Sequence, residues 1–254
     1  MEKRQKRILS QANTDVVFGI RPVMEAVRSG KVFDKLFIQK NLTGDLSKEI
    51  LEEIKAANVL ITKVPIEKLN RITRKNHQGM VGFISPIEFA SIDHIIDSCY
   101  ASGKEPFVLA LDRITDVRNF GAIVRTAECA GIDAIIVPSR GAAQISSDAM
   151  KTSAGALNHV AICRTNNMTA LLGALKNMGL NLIACTEKTK ESVYQADYAQ
   201  PLAIVLGSEE DGISSEVLKI CDQRAKIPVN GQIESLNVST AAGIIIYEAL
   251  RQRL

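Results

Sequence analysis

The sequence has no tryptophan, and Phe and Tyr together supply 4% of its 254 residues. With 46% of residues hydrophobic, the core it can build is aliphatic. The five cysteines, Cys99, Cys129, Cys163, Cys185 and Cys221, are an odd number and widely spaced. They form no Cys-x-x-Cys pair and no cluster with histidine. That excludes a zinc finger and a disulfide framework and fits a reduced, cytoplasmic compartment. No metal site is expected. No apolar run approaches the roughly 20 residues that a membrane helix needs, so no membrane partner is expected. The basic opening MEKRQKRILSQANTD lacks the apolar segment of a secretory signal. Phosphate-binding glycine loops are missing too. No strand is followed by G-x-G-x-x-G, and no G-x-x-x-x-G-K precedes a Ser or Thr, which excludes a Rossmann dinucleotide site and a P-loop.

What is present is alternation. Short Val/Ile/Leu runs alternate with amphipathic segments, the pattern of an α/β fold with a mostly parallel sheet. Strands are expected at 16–18, 35–39, 59–64 and 80–84, with helices at 22–28, 46–57 and 66–72. They make a unit over 15–86 behind a flexible basic tail at 1–14 that carries Lys3, Arg4, Lys6 and Arg7. Ile92, Ile95, Ile96 and Cys99 fall at i, i+3, i+4, i+7, which puts one amphipathic helix in a linker over 87–105. From 106 to 254, six strands alternate with helices, a pattern that periodicity alone describes as a doubly wound sheet. Charge is uneven. Residues 1–90 hold 16 Lys/Arg and 10 Asp/Glu, a net +6, and the remainder is −3. The bias suits a polyanion held by the first unit, or simply a soluble surface. Arg71, Arg74 and Lys75, on a loop before the strand at 80–84, are the first unit's best candidates for phosphate contacts.

Ligands of open α/β sheets sit at the carboxyl ends of strands, and three such ends stand out in the second unit. Leu206 runs into Gly207-Ser208-Glu209-Glu210-Asp211-Gly212, Ile227 into a loop with Pro228 and Gly231, and Leu111 into a turn ending at Asn119. Three carboxylates at 209–211 oppose a phosphate there and suit a cationic or neutral ligand. Asn237 is placed as the N-cap of a last helix that stays uncharged through Tyr247 and is apolar nearly all round, hence buried. Ala241, Ala242 and Gly243 would let another backbone come close. This stretch reads equally as a ligand floor and as a capped core helix. A helix is expected at 120–130, with Ile123, Ala127 and Ala130 as its core stripe and Arg125 off it. Spacing alone favours a surface pair between Arg125 and Glu128.

Taken together, three segments resemble a known family in order and spacing. They are Asn119-x-Gly121-x-x-x-Arg125-x-Ala127, IVLGSEEDGIS at 204–214 and IPVNGQIESLNVSTAAGIIIYEA at 227–249. They are similar to the three motifs of the SpoU (TrmH-type) branch of the SPOUT RNA methyltransferases. KTSAGA at 151–156 also resembles that family, and VFGIRPVMEAVRSG at 17–30 with HQGMVGFISP at 77–86 resembles its L30e-like substrate-binding domain. The resemblance covers nearly the whole chain. It implies an α/β protein with an L30e-like front domain and a SPOUT catalytic domain containing a trefoil knot, a topology that periodicity would never suggest. It implies S-adenosyl-L-methionine as cofactor, with Gly207, Ile227 and Leu236 at the binding positions. It assigns 2′-O-ribose methylation to Arg125, with Asn119, Glu209, Ser235 and Asn237 around it. Ribosomal RNA as partner and a homodimer through the knotted domain are implied as well. Within the family, the two-domain arrangement and the HQG segment are most similar to members that methylate a guanosine of 23S ribosomal RNA. A tRNA substrate and a catalytically silent RNA-binding protein are the alternatives. One residue departs: Glu210 stands where many relatives have glycine, so a loop with positive φ at that point would have to be shaped differently.

Overall fold

The computed structural model describes residues 16–233 and 235–254; the basic tail expected at 1–14 lies outside the described residues. The chain divides mainly between Glu88 and Phe89 into two compact units.

In the first unit, β1 (Val16–Phe18), α1 (Ile20–Arg28), β2 (Phe33–Gln39), α2 (Asp45–Ala56), β3 (Ile61–Val64), α3 (Ile66–Ile72) and β4 (Met80–Ile84) follow one another. The four strands lie in the order β1-β4-β2-β3, with β2 and β3 parallel and the other pairs antiparallel. Side chains alternate across this sheet, as the strand period requires. Leu36, Ile38 and Met80 pack with Val23 and Val27 of α1 and Ile50 and Ile54 of α2. Val81 and Phe37 pack instead with Val64 and with Leu69 of α3. Both faces are thus covered with aliphatic side chains.

The second unit opens with α4 (Ile92–Ala101) and β5 (Phe107–Asp112), followed by α5 (Val117–Cys129), β6 (Ala134–Pro138) and α6 (Ser147–Thr152). A 3-10 turn at Ala156–Asn158 leads to β7 (Ala161–Thr165), α7 (Met168–Asn177), β8 (Asn181–Cys185) and β9 (Leu202–Gly207). The chain closes with α8 (Ser215–Ile220), β10 (Gln223–Ala225) and α9 (Val238–Arg253). All six strands are parallel, in the order β10-β8-β9-β5-β6-β7. A doubly wound sheet in sequence order would place β8 against β5. Here β9 lies between them, so the chain passes over the central position on its way to β8 and fills it afterwards. Periodicity does not carry this exchange, because both strands are equally apolar runs.

A parallel sheet is buried on both faces. On one face Val108, Ala110, Ile136 and Val205 pack with Ile92 and Ile96 of α4, Leu172 and Leu175 of α7 and Val217 of α8. The alternate residues Leu109, Leu111, Ile135 and Ile204 are buried as well. Helices α5 and α9 pack on each other, and α9 also contacts β9. The expectation that α9 is buried all round is corrected. Ala242, Ile245, Ile246 and Ala249 are buried, but Tyr247 is 50% exposed. Nothing lies within 4 Å of the place a Cβ on Gly243 would occupy, so that glycine serves no close backbone approach within the chain's described residues. That role falls to Gly121 on α5, where a Cβ would sit 2.1 Å from Oγ1 of Thr152.

Candidate active site

The carboxyl ends of β8, β9 and β10 open onto a cavity of about 460 Å³, closed on its remaining side by the start of α9. Gly207, Ile227 and Leu236 all line it, and so do Glu209, Ser235 and Asn237. Gly207 ends β9 and begins a loop that doubles back on itself. Ser208 and Gly212 exchange two backbone hydrogen bonds, at 3.2 and 3.0 Å, and Asp211 N donates to Oγ of Ser208. The return strand passes so close that a Cβ on Gly207 would stand 2.1 Å from the carbonyl carbon of Gly212. The positive φ of this loop is at Gly212, +71°, and not at Glu210. Glutamate at 210 therefore meets no backbone obstacle in this loop.

Two residues at the end of β5 hold that loop in place. Asp112 is buried, and its Oδ2 accepts from Ser214 N at 2.7 Å. Arg113 has φ +61°, a conformation that costs a non-glycine residue free energy and persists where surroundings enforce it. Its guanidinium donates to Oδ2 of Asp211 and to the carbonyl oxygen of Gly212, both at 3.1 Å. Motif reading passed over Arg113; its place directly after a buried strand end was the available signal.

Glu209 joins three segments distant in sequence. Its Oε1 accepts from Nδ2 of Asn237 at 2.7 Å, from Nδ2 of Asn119 at 3.1 Å and from Val238 N at 3.2 Å. Nδ2 of Asn237 also lies 3.0 Å from Oδ1 of Asn119. At the same time Oδ1 of Asn237 caps α9 by accepting from Ser239 N and Thr240 N, so the cap and the polar cluster coexist. Asn119, expected to end the turn before a helix at 120–130 and so to stand at its cap, lies inside the helix instead. Helix α5 begins three residues earlier than expected, and its N-cap is Asp116, which accepts from Arg118 N and Asn119 N. Asp116 has the preferred cap chemistry and starts the helix early enough for Asn119 to reach Glu209.

Arg125 projects from α5 six residues beyond Asn119, on the exposed side of the helix. It does not line the cavity. Among the described residues it forms no ion pair with Glu128, so the surface pair that spacing favours is absent. The wall contributed by 185–188 at the end of β8 was also missed, because no motif marks it. Burial pushes the Cys185 thiol far above its ordinary range, so it faces the cavity as a neutral group. Arg71, Arg74 and Lys75 lie exposed in the first unit, with Lys75 Nζ 5.4 Å from the ring centre of Phe18.

A ligand-sized cavity at the strand ends of a parallel α/β sheet, with a crosslinked polar cluster at its rim, is the place where such sheets hold small molecules. The chain belongs to the SpoU rRNA methylase family, whose model matches residues 106–247. Residues 16–90 match the model for RNA 2′-O ribose methyltransferase substrate binding. YacO of Bacillus subtilis, assigned to the TrmH family of tRNA/rRNA methyltransferases, is 32% identical over 94% of this chain and 96% of its own. Among solved structures, the SpoU methyltransferase AviRb of Streptomyces viridochromogenes, in complex with AdoMet, matches with a TM-score of 0.59. The two are 25% identical over 94% of this chain and 90% of that one. The A. aeolicus TrmH/SpoU tRNA modifying enzyme is 33% identical over 59% of this chain and 75% of its own, with a TM-score of 0.54. The protein is thus an RNA methyltransferase with an N-terminal substrate-binding domain. No helix among the described residues is long and apolar enough to cross a membrane.

Proposed function

We propose that this enzyme methylates the 2′-hydroxyl of a guanosine in 23S ribosomal RNA, in the cytoplasm, with S-adenosylmethionine as methyl donor. The observation that carries the reading is the Glu209 cluster, which ties Asn119, Asn237 and the start of α9 together at the rim of the cavity. These bonds tie three separate segments at the exposed rim, so they shape the mouth of the cavity and not the aliphatic core on which a silent RNA-binding protein would depend.

The cavity suits S-adenosylmethionine. Its volume lies in the range of small-molecule sites. Leu206, Leu236 and Ile245 offer apolar contact for a base, and the carboxylates at 209–211 favour a cationic ligand. Gly207, Ile227 and Leu236 hold the donor, which supplies an electrophilic methyl group on a sulfonium and leaves as a neutral thioether. No charge builds on that leaving group, so the protein's task is to place the ribose and make its hydroxyl nucleophilic. Arg125 binds the neighbouring phosphate and stabilises the negative charge that grows on the ribose oxygen. A guanidinium does not deprotonate in proteins, so Arg125 is not a literal general base, and the proton of the ribose hydroxyl passes to solvent water as the oxygen–methyl bond forms and the sulfur–methyl bond breaks. Glu209 orients Asn119 and Asn237, which fix the loops, and Ser235 hydrogen-bonds the donor or the RNA.

The front unit, L30e-like and spanning 15–86, docks the RNA through Arg71, Arg74 and Lys75; of the stretch 87–105 expected as a linker, α4 packs on the sheet of the second unit, so the catalytic domain expected over 106–254 takes it in. The position of β9 between β5 and β8 supports a trefoil knot in that domain, and a homodimer through the same domain completes the reading. Ribosomal RNA is favoured over tRNA because the substrate-binding model matches a whole front unit, whereas the tRNA modifying enzyme aligns with 59% of the chain. The test is to map ribose methylation in ribosomal RNA and tRNA from cells with and without the protein. Loss of one 2′-O-methylguanosine from 23S RNA is expected; loss from tRNA alone would replace the substrate, and no loss anywhere would overturn the activity.

A further inference from the structure

The front unit contains a second cavity, of about 480 Å³, walled by the end of β2, the turn after it, α3 and the loop before β4. Its chemistry differs from that of the first. Five of its lining side chains are carboxamides: Gln39, Asn41, Asn70, Asn76 and Gln78. No carboxylate lines it, and Lys75 stands among the amides, with Arg71 and Arg74 close by in sequence. Leu42 and Ile66 add apolar surface.

The frame is fixed from behind. His77 is 6% exposed, and both of its ring nitrogens are occupied. Its Nδ1 accepts from Gly79 N at 3.1 Å, which makes Nε2 the protonated nitrogen, and Nε2 donates to Oδ1 of Asn70 at 2.9 Å. Oε1 of Gln78 accepts from Ile20 N at 3.1 Å. Asn70, His77 and Gln78 therefore hold the cavity's shape. Asn41 and Asn76 are exposed, and their side chains make no hydrogen bond among the described residues.

A carboxamide offers a donor and an acceptor side by side, the pattern that base edges present and that phosphates lack. A site for phosphate alone would be lined by cations and N–H groups. Proteins that read RNA sequence do so chiefly on unpaired bases, whose edges are free. We propose that this cavity takes one unpaired base of the RNA substrate, read on its edge by Asn41 and Asn76, while Lys75 meets an adjoining phosphate. The inference rests on the reading of the front unit as the RNA-docking unit and adds to it a site for base identity.

The test uses the full chain and labelled nine-residue ribose-phosphate oligomers, abasic except at the centre. The centre carries adenine, cytosine, guanine, uracil or no base. At low salt at least one base should tighten binding roughly fivefold or more over the abasic oligomer. The double variant Asn41→Ala/Asn76→Ala should lose that gain and bind the abasic oligomer as before. Equal binding of all five oligomers by the unaltered protein would overturn the proposal while leaving RNA docking intact, as would a gain undiminished in the variant. Failure to bind any oligomer would overturn the docking reading along with it.

Discussion

Nδ2 of Asn237 and Oε1 of Glu209 stand 2.7 Å apart across 28 residues of sequence. Through this bond the cap of α9 is tied to the loop after β9, on an acceptor that it shares with Asn119 and Val238 N. Asn237→Ala should cost about 1 kcal/mol for the lost cap, and more if the cluster is cooperative. A double-mutant cycle with Glu209→Ala, read by urea unfolding, should give a coupling of roughly 0.5–3 kcal/mol. Additive losses would show that the cluster has no energy of its own.

Arg125 lies off the core, so Arg125→Ala should change stability by no more than about 0.5 kcal/mol. Calorimetric binding of S-adenosylmethionine should also survive, because Arg125 does not line the donor cavity. Methyl transfer should fall roughly 10²-fold or more if the guanidinium stabilises charge in the transition state. Arg125→Lys should recover little, since an ammonium cannot reproduce a planar fork. Near-normal methylation by the folded alanine variant would remove Arg125 from the mechanism.

Gly207 and Gly212 are glycines for different reasons, and substitution separates them. A Cβ at 207 collides with backbone that cannot give way, so Gly207→Ala should open the loop and weaken S-adenosylmethionine binding at least tenfold, on the order of 1.4 kcal/mol. A Cβ at 212 meets nothing within 4 Å but must adopt φ +71°. Gly212→Ala should therefore cost about 1–2 kcal/mol of stability with a smaller effect on binding. Equal effects from the two changes would contradict this division.

Phosphate docking predicts a salt signature. If Arg71, Arg74 and Lys75 each meet one phosphate of single-stranded RNA, replacing all three with alanine should flatten the log affinity against log salt slope by about 2. A parallel line, merely displaced, would argue against direct phosphate contact.

Acid should expose a different pair. Glu248 is buried on α9 and accepts from Nε and Nη2 of Arg251 and from Nε2 of Gln252. These bonds, that to Arg251 first, hold its carboxyl down at about 2, against an ordinary 4.5. A depressed folded-state pKa stabilises the fold above the unfolded value, and the contribution is lost as pH falls from about 4.5 towards 2. Across that window the unaltered protein should lose Tm more steeply than Glu248→Gln, which keeps the shape and cannot titrate. Parallel melting curves would show that the bonds contribute nothing.

The elements themselves were legible, because aliphatic runs and glycine or proline breaks mark them locally. The strand at 80–84 and the helix at 66–72 have the expected limits. Motif resemblance grouped Gly207, Ile227 and Leu236, and the three do line one cavity, the one proposed for the donor. The start of α5 was misplaced because Asp116 and Asn119 are both good caps, and only the fold decides between them. Arg113 and the small-residue role of Gly121 escaped for the same reason: each matters through a partner far away in sequence, Asp211 and Thr152 respectively. The amide cavity of the first unit gathers residues from 39 to 79 and has no linear signature.

The place of β9 bears on how the chain is made. It pairs with β5 on one side and β8 on the other, yet both are synthesised before it. Without β9, neither the edge of β5 nor that of β8 that it covers in the folded sheet has its partner. The order in which the strands are made is therefore not the order in which they lie side by side, and the native pairing of β5 and β8 waits on β9. Closing contacts over such separations slows folding. The cavity proposed for the donor is built on 185–188, 206–213 and residues between 225 and 245, so its walls need β8, β9 and β10 together. A nascent chain able to bind the methyl donor is therefore one that has completed its sheet.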